Sequence, residues 1–163
     1  MISQFGVVLI ATDFSVESEQ AFRVACDIAR AQSARLVVLH VIPPLTVADV
    51  DVDPCEINED WPTVRECRKQ FERLQKLGDG ILSTYRVVVG YPVGIILNVA
   101  RQEDADLIVI ASHQGRQYSF QLHGPVSEGV LRQAHCPVLC LRQPNSCVSA
   151  IAEKRFANVA KLP

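Results

Sequence analysis

Five short apolar runs limit what this chain can fold into: VVLIA at 7–11, LVVLHVI at 36–42, YRVVV at 85–89, LIVIA at 107–111 and VLCL at 138–141. Each is continuous and mostly aliphatic, with little of the apolar–polar alternation of a half-solvated strand. That is the signature of strands buried on both faces of a parallel sheet. Parallel neighbours need long crossovers, and the intervening segments are long enough to be helices. Residues 17–31 repeat Ala21, Val24, Ala25, Ile28 and Ala29 at helical spacing behind Ser15, a candidate N-cap. Residues 62–77 set Val64, Cys67, Phe71 and Leu74 against a basic side of Arg65, Arg68, Lys69, Arg73 and Lys76, with Pro62 in the first turn. A third helix follows Gly90-Tyr91-Pro92 over 93–102, and Gly124-Pro125 opens a last amphipathic segment. The alternation predicts an α/β fold. It is an open, five-stranded, mostly parallel sheet with right-handed crossovers and helices on both faces, Rossmann-like in plan.

Such sheets bind ligands above the C-terminal ends of their strands, where the strand order reverses. Here that crevice lies above the strands running into Ala11 and Ala111, fed by the connections 12–15 and 112–124. Residues 105–142 read as strand, loop, helix, strand, which makes the second connection the natural place for a phosphate.

The remaining composition mostly excludes. A chain of 163 residues accommodates one full domain, taken as 1–142 with an acidic excursion at 43–61, followed by a tail at 143–163. The net charge of −2 argues against a nucleic-acid partner. No apolar run approaches the roughly 18 residues of a membrane span, and the opening MISQFGVVLIATDFS lacks a basic signal-peptide region, so no membrane and a cytoplasmic location are expected. The excursion carries Asp49, Asp51, Asp53, Glu56, Glu59 and Asp60 without a Lys or Arg. Its D-x-D-x-D is followed by Pro54 and lacks the Gly and distal Glu of a calcium loop, so a solvated loop and no metal are expected. The six cysteines show no C-x-x-C pair. They read as buried free thiols, with a regulatory disulfide as the alternative. His40 within a strand reads as a satisfied core histidine, and His113 as a surface residue of the loop.

In order along the chain come VVLIATDFS before an alanine-rich helix, LVVLHVI, Gly90-Tyr91-Pro92 through ADLIV, Gly124 to Glu128, and His135-Cys136-Pro137-Val138-Leu139. Together they resemble the universal stress protein family over roughly residues 7–142. The resemblance implies strand order 3-2-1-4-5. It also implies a nucleotide site at Ala11, Asp13, Val41, Ala111, His113, Gly115 and Gly124, which could take ATP or AMP, although no cofactor is firmly implied. Family members that bind ATP carry G-x-x-G-x9-G-[ST] after the fourth strand. This chain places Ala111, Gln114, Gly124 and Pro125 there, with Gly115 one place late. Gln114 puts a side chain where a backbone should approach phosphate, and Pro125 supplies neither an N–H nor a hydroxyl. Asp13 matches the adenosine-contacting acid, although capping the turn beside Ser15 would equally explain it. Val41 matches a valine near the adenine and is a core strand residue in either case.

The leading expectation is a non-enzymatic, dimeric stress-response protein with a degraded ATP-binding loop. The alternative is an ATP- or AMP-binding regulator. A nucleotidyl-transfer enzyme would call for H-x-G-H or S-G-G-x-D-S near the first strand, and neither is present. G-x-S-x-G, H-E-x-x-H, a Walker A loop and G-x-G-x-x-G are missing as well. A homodimer is expected through the edge strand Val138, Leu139, Cys140 and Leu141, as in similar proteins.

Overall fold

A computed structural model of the chain describes residues 5–44, 62–78, 80–112 and 126–142. The element order is β1 (Val7–Ala11), α1 (Val16–Gln32), β2 (Arg35–Ile42), α2 (Pro62–Leu77), β3 (Ser83–Val89), α3 (Pro92–Gln102), β4 (Leu107–Ser112), α4 (Val126–Gln133) and β5 (Val138–Arg142). The strands pair in parallel in the order β3-β2-β1-β4-β5. The excursion from residue 45 to 61, the loop 113–125 and the tail 143–163 lie outside the described residues, as do the candidate site positions His113, Gly115 and Gly124.

One crossover hand explains the layers. The chain moves from β1 to β2 to β3 in one direction, and α1 and α2 cover the same sheet face. It then returns past β1 to β4 and β5, and α3 and α4 cover the other face. On the first face Val8, Ile10, Leu36, Val38 and Val109 meet Ala21, Phe22, Ala25 and Ala29 of α1 and Phe71 and Leu74 of α2. On the second, Leu9, Val37, Leu39, Ile108 and Ile110 meet Ile96, Leu97, Val99 and Ala100 of α3 and Val130 of α4. The continuous apolar runs are thereby buried on both sides.

Two details differ from the sequence pattern. β3 starts at Ser83 rather than Tyr85, because pairing with β2 already begins at Leu36 opposite Ser83 and ladder bonds hold polar residues extended. The buried stripe of α1 also turns away from Val24 and Ile28, which stay half-buried, toward Phe22 and Cys26. Gly78, just past α2, makes room for both: a Cβ there would lie 3.1 Å from Phe22 and 3.3 Å from Cys26. The apolar side of α2, by contrast, is buried as its spacing dictates at Val64, Cys67, Phe71 and Leu74.

The two ends of the sheet are tied differently. At the strand starts, Asp106 accepts the amides of Gly6 and Val7 at 2.8 and 3.0 Å, clamping β1 to the approach of β4. Glu103 bridges Arg35 at 2.8 Å and Arg86 at 2.7 Å, joining the end of α3 to β2 and β3. These hydrogen bonds and charges hold the Glu103 carboxyl below the usual carboxylate range, the Arg35 hydrogen bond contributing most. The strand ends opposite are those above which sheets of this kind bind ligands.

Candidate functional site

The strand order reverses between β1 and β4, whose chains leave toward opposite faces. In sheets of this kind the ligand crevice opens between such departures. Its described wall is the turn from β1 into α1, and nearly every polar group in that turn is committed internally. Thr12 N–H bonds the Leu39 carbonyl at 2.9 Å, carrying β1–β2 pairing one step beyond Ala11. Phe14 N–H donates to Thr12 Oγ1 at 3.1 Å, Ser15 N–H to Asp13 Oδ1 at 3.0 Å, and Ser18 N–H to the N-cap Ser15 Oγ at 3.1 Å. Ser18 spends its hydroxyl hydrogen on the Ser15 carbonyl at 3.0 Å, so the buried Thr12–Ser18 contact at 3.0 Å takes its hydrogen from Thr12.

Phe14 pays for this geometry with a φ of 61°, in the left-handed region. For a bulky L-residue that costs on the order of 1–2 kcal/mol. Its ring stacks on His40, with centroids 4.4 Å apart, and meets Phe71 edge-on at 5.2 Å. Phe71 in turn contacts Tyr85 at 5.2 Å. At about 0.5–1.5 kcal/mol per ring pair, these contacts offset the strain.

His40 is half-buried rather than deep in the core, which corrects the sequence reading. It is satisfied, as expected, because Nδ1 lies 2.8 Å from the Thr12 carbonyl, but it sits at the crevice end of β2. A carbonyl can only accept, so Nδ1 carries the hydrogen. Burial lowers the imidazole pKa, opposed by the Thr12 hydrogen bond and by the Asp13 charge.

Of the candidate residues, Asp13 is exposed at the turn and Ala11 is half-buried at the end of β1. Pleating sends Ala11 and Val41 toward the α3/α4 face and Ala111 toward the α1/α2 face. Ala11 pairs with Ile110, so Ala111 lies one residue farther along, beside the start of the turn. Thr12, Phe14 and His40 were missed as site residues. The hydroxyls at 12, 15 and 18 are a capping signal legible in the sequence. The αL conformation of Phe14 is not, because phenylalanine does not favour it.

Cys26 and Cys67 are buried free thiols, and Cys136 and Cys140 are free and half-buried. Burial pushes the Cys26 thiol up to about 11 and raises those of Cys67 and Cys136. Cys55 and Cys147 lie outside the described residues. No cluster of three or more His, Cys, Asp or Glu side chains suited to a metal occurs among the described residues, and no described helix is long and apolar enough to cross a membrane.

Residues 4–142 match the universal stress protein family. The chain belongs to that family. A universal stress protein of Methanocaldococcus jannaschii is 28% identical over 147 residues, covering 84% of this chain and 82% of its own. A solved structure of a second protein of that organism superposes with a TM-score of 0.71 at 26% identity, covering 88% of this chain and 100% of its own. A universal stress protein crystallised in complex with cAMP gives 0.63 at 26% identity, covering 85% and 98%. The five-stranded sheet and its order are thus those of universal stress proteins, and the turn described above occupies this protein's switch point.

Proposed function

We propose that this universal stress protein is a non-enzymatic dimer whose crevice takes an adenine nucleoside monophosphate and holds a triphosphate no more tightly. The observation carrying this reading is the β1–α1 turn. Its Phe14, Ser15 and Ser18 amides are already bonded to side chains, and the acidic groups beside it are Asp13 and Glu17, Glu19 being tied to Arg23 and Arg73. With those three amides occupied the turn gives phosphate fewer donors, and the exposed Asp13 carboxylate suits the hydroxyls of a ribose or an amino group of a base. It is the nucleoside side of a site.

Phosphate donors must then come from the connection after β4. There the sequence offers Gln114 and Pro125 where amide and hydroxyl donors are needed. Each charge-assisted hydrogen bond lost costs about 1.5–3 kcal/mol, so further phosphates add little affinity. The cAMP complex of a 26% identical neighbour supports a monophosphate ligand. The non-enzymatic part rests on the missing catalytic motifs, and the dimer on the outer edge of β5, which no described strand pairs.

Isothermal titration with AMP, cAMP and ATP, with and without magnesium, tests the ligand. Binding of AMP or cAMP in the micromolar range, with ATP equal or weaker, is the expected result. ATP binding about tenfold tighter than AMP overturns the monophosphate assignment. If none of the three binds, Gln114 and Pro125 favour the second reading, a family member whose nucleotide site has lapsed.

A further inference from the structure

We propose that His40 is a positioning residue for the crevice: its Nδ1–H on the Thr12 carbonyl and its ring against Phe14 lock the β1–α1 turn in the shape that presents Asp13 to a ligand. This rests on the nucleoside-site reading given above. Thr12 is held at every polar atom, its N–H by Leu39, its hydroxyl by Ser18 and Phe14, and its carbonyl by His40. Only the last of these comes from a side chain outside the turn and helix α1. Phe14 is likewise held from outside, by His40 of β2 and Phe71 of α2, and Phe71 is backed by Tyr85 of β3. Asp13 sits between these two anchored residues, and its Oδ1 is already fixed on the Ser15 amide. The carboxylate direction therefore follows from Thr12 and Phe14, and His40 touches both, hydrogen-bonded to one and stacked on the other.

Two substitutions separate the parts. His40→Asn keeps an N–H donor the same number of bonds from the backbone, whereas His40→Phe keeps the ring and removes the donor. AMP affinity by titration and amide hydrogen exchange at Phe14 and Ser15 are read on both and on the unaltered protein. In His40→Phe, affinity falls and exchange at those amides rises by about tenfold, while His40→Asn stays within about threefold in affinity. Leu39 exchange stays slow, which marks the sheet as intact. If His40→Phe binds AMP as tightly as the unaltered protein, the positioning role is wrong and the nucleoside site stands. If the unaltered protein binds no AMP, the nucleoside site falls and the ligand-presenting role with it. Should His40→Phe fail to fold, the nitrogen-15 spectrum of the unaltered imidazole decides: hydrogen on Nδ1 is required, and hydrogen on Nε2 alone overturns the proposal.

Discussion

Gly129 shows how much one missing carbon can matter. A Cβ at that position in α4 would lie 2.7 Å from Cγ2 of Val93 and 3.1 Å from Cγ1, so α4 approaches α3 closely only because the side chain is absent. Rotating Val93 merely exchanges its methyl groups, since a β-branched residue has few alternatives in a helix. Alanine would gain roughly 0.5–1 kcal/mol of helix propensity, but overpacking costs about 1–3 kcal/mol. Gly129→Ala is therefore expected to lower the urea midpoint, and adding Val93→Ala to recover most of the loss; additive effects of the two would refute the contact. At this scale the sequence was only partly legible. The Asp13 pattern signals a turn, and Ser15 N–H indeed bonds its carboxylate. The proximity of His40 to Thr12 joins residues 28 positions apart, and only the β1–β2 register reveals it.

Elements were easier to read because periodicity is local. Residues 62–77 gave α2 with its buried stripe, and each apolar run gave a strand. Boundaries set by neighbours, such as Ser83 opposite Leu36, left no apolar mark. The edge strand β5 permits a prediction. Ile108 N–H bonds the Pro137 carbonyl at 3.0 Å, so in an evenly spaced parallel ladder Leu139 and Leu141 turn their amides to β4. Val138 and Cys140 turn theirs outward, to the edge where a second copy would pair. Cys140→Pro removes an outward donor and spares the β4 ladder. In sedimentation at micromolar concentration the unaltered protein should run as a dimer and Cys140→Pro as a monomer. A variant that remains dimeric would rule out pairing through this edge.

For the whole molecule, two of the groups shifted by folding, His40 and Glu103, tie stability to pH below neutrality. His40 has its pKa lowered by burial, so its contribution is complete above the unfolded value of about 6.5 and declines as pH falls toward the folded one. Glu103 is lowered chiefly by its Arg35 hydrogen bond, so its contribution holds above the unfolded value near 4.3 and declines below it. The unfolding free energy from denaturant titrations should therefore drop between pH 7.5 and 5.5, by no more than about 1.4 kcal/mol per pH unit for one proton, and less steeply in His40→Asn. Equal slopes in the two proteins would remove His40 from the account. The order of the strands was legible at this scale, because crossover rules leave few choices once strands and helices alternate. How the β1–α1 turn occupies the amides of Phe14, Ser15 and Ser18 was not, since that depends on the conformation the turn adopts.

Because all five strands run the same way, the molecule has two unlike poles. Leu82, 74% exposed just before β3, belongs to the pole where the strands begin, roughly a strand length of 15–20 Å from the crevice. Tethering the protein to a sensor surface through that position would leave its opposite pole facing the flow, open to any nucleotide passing over it.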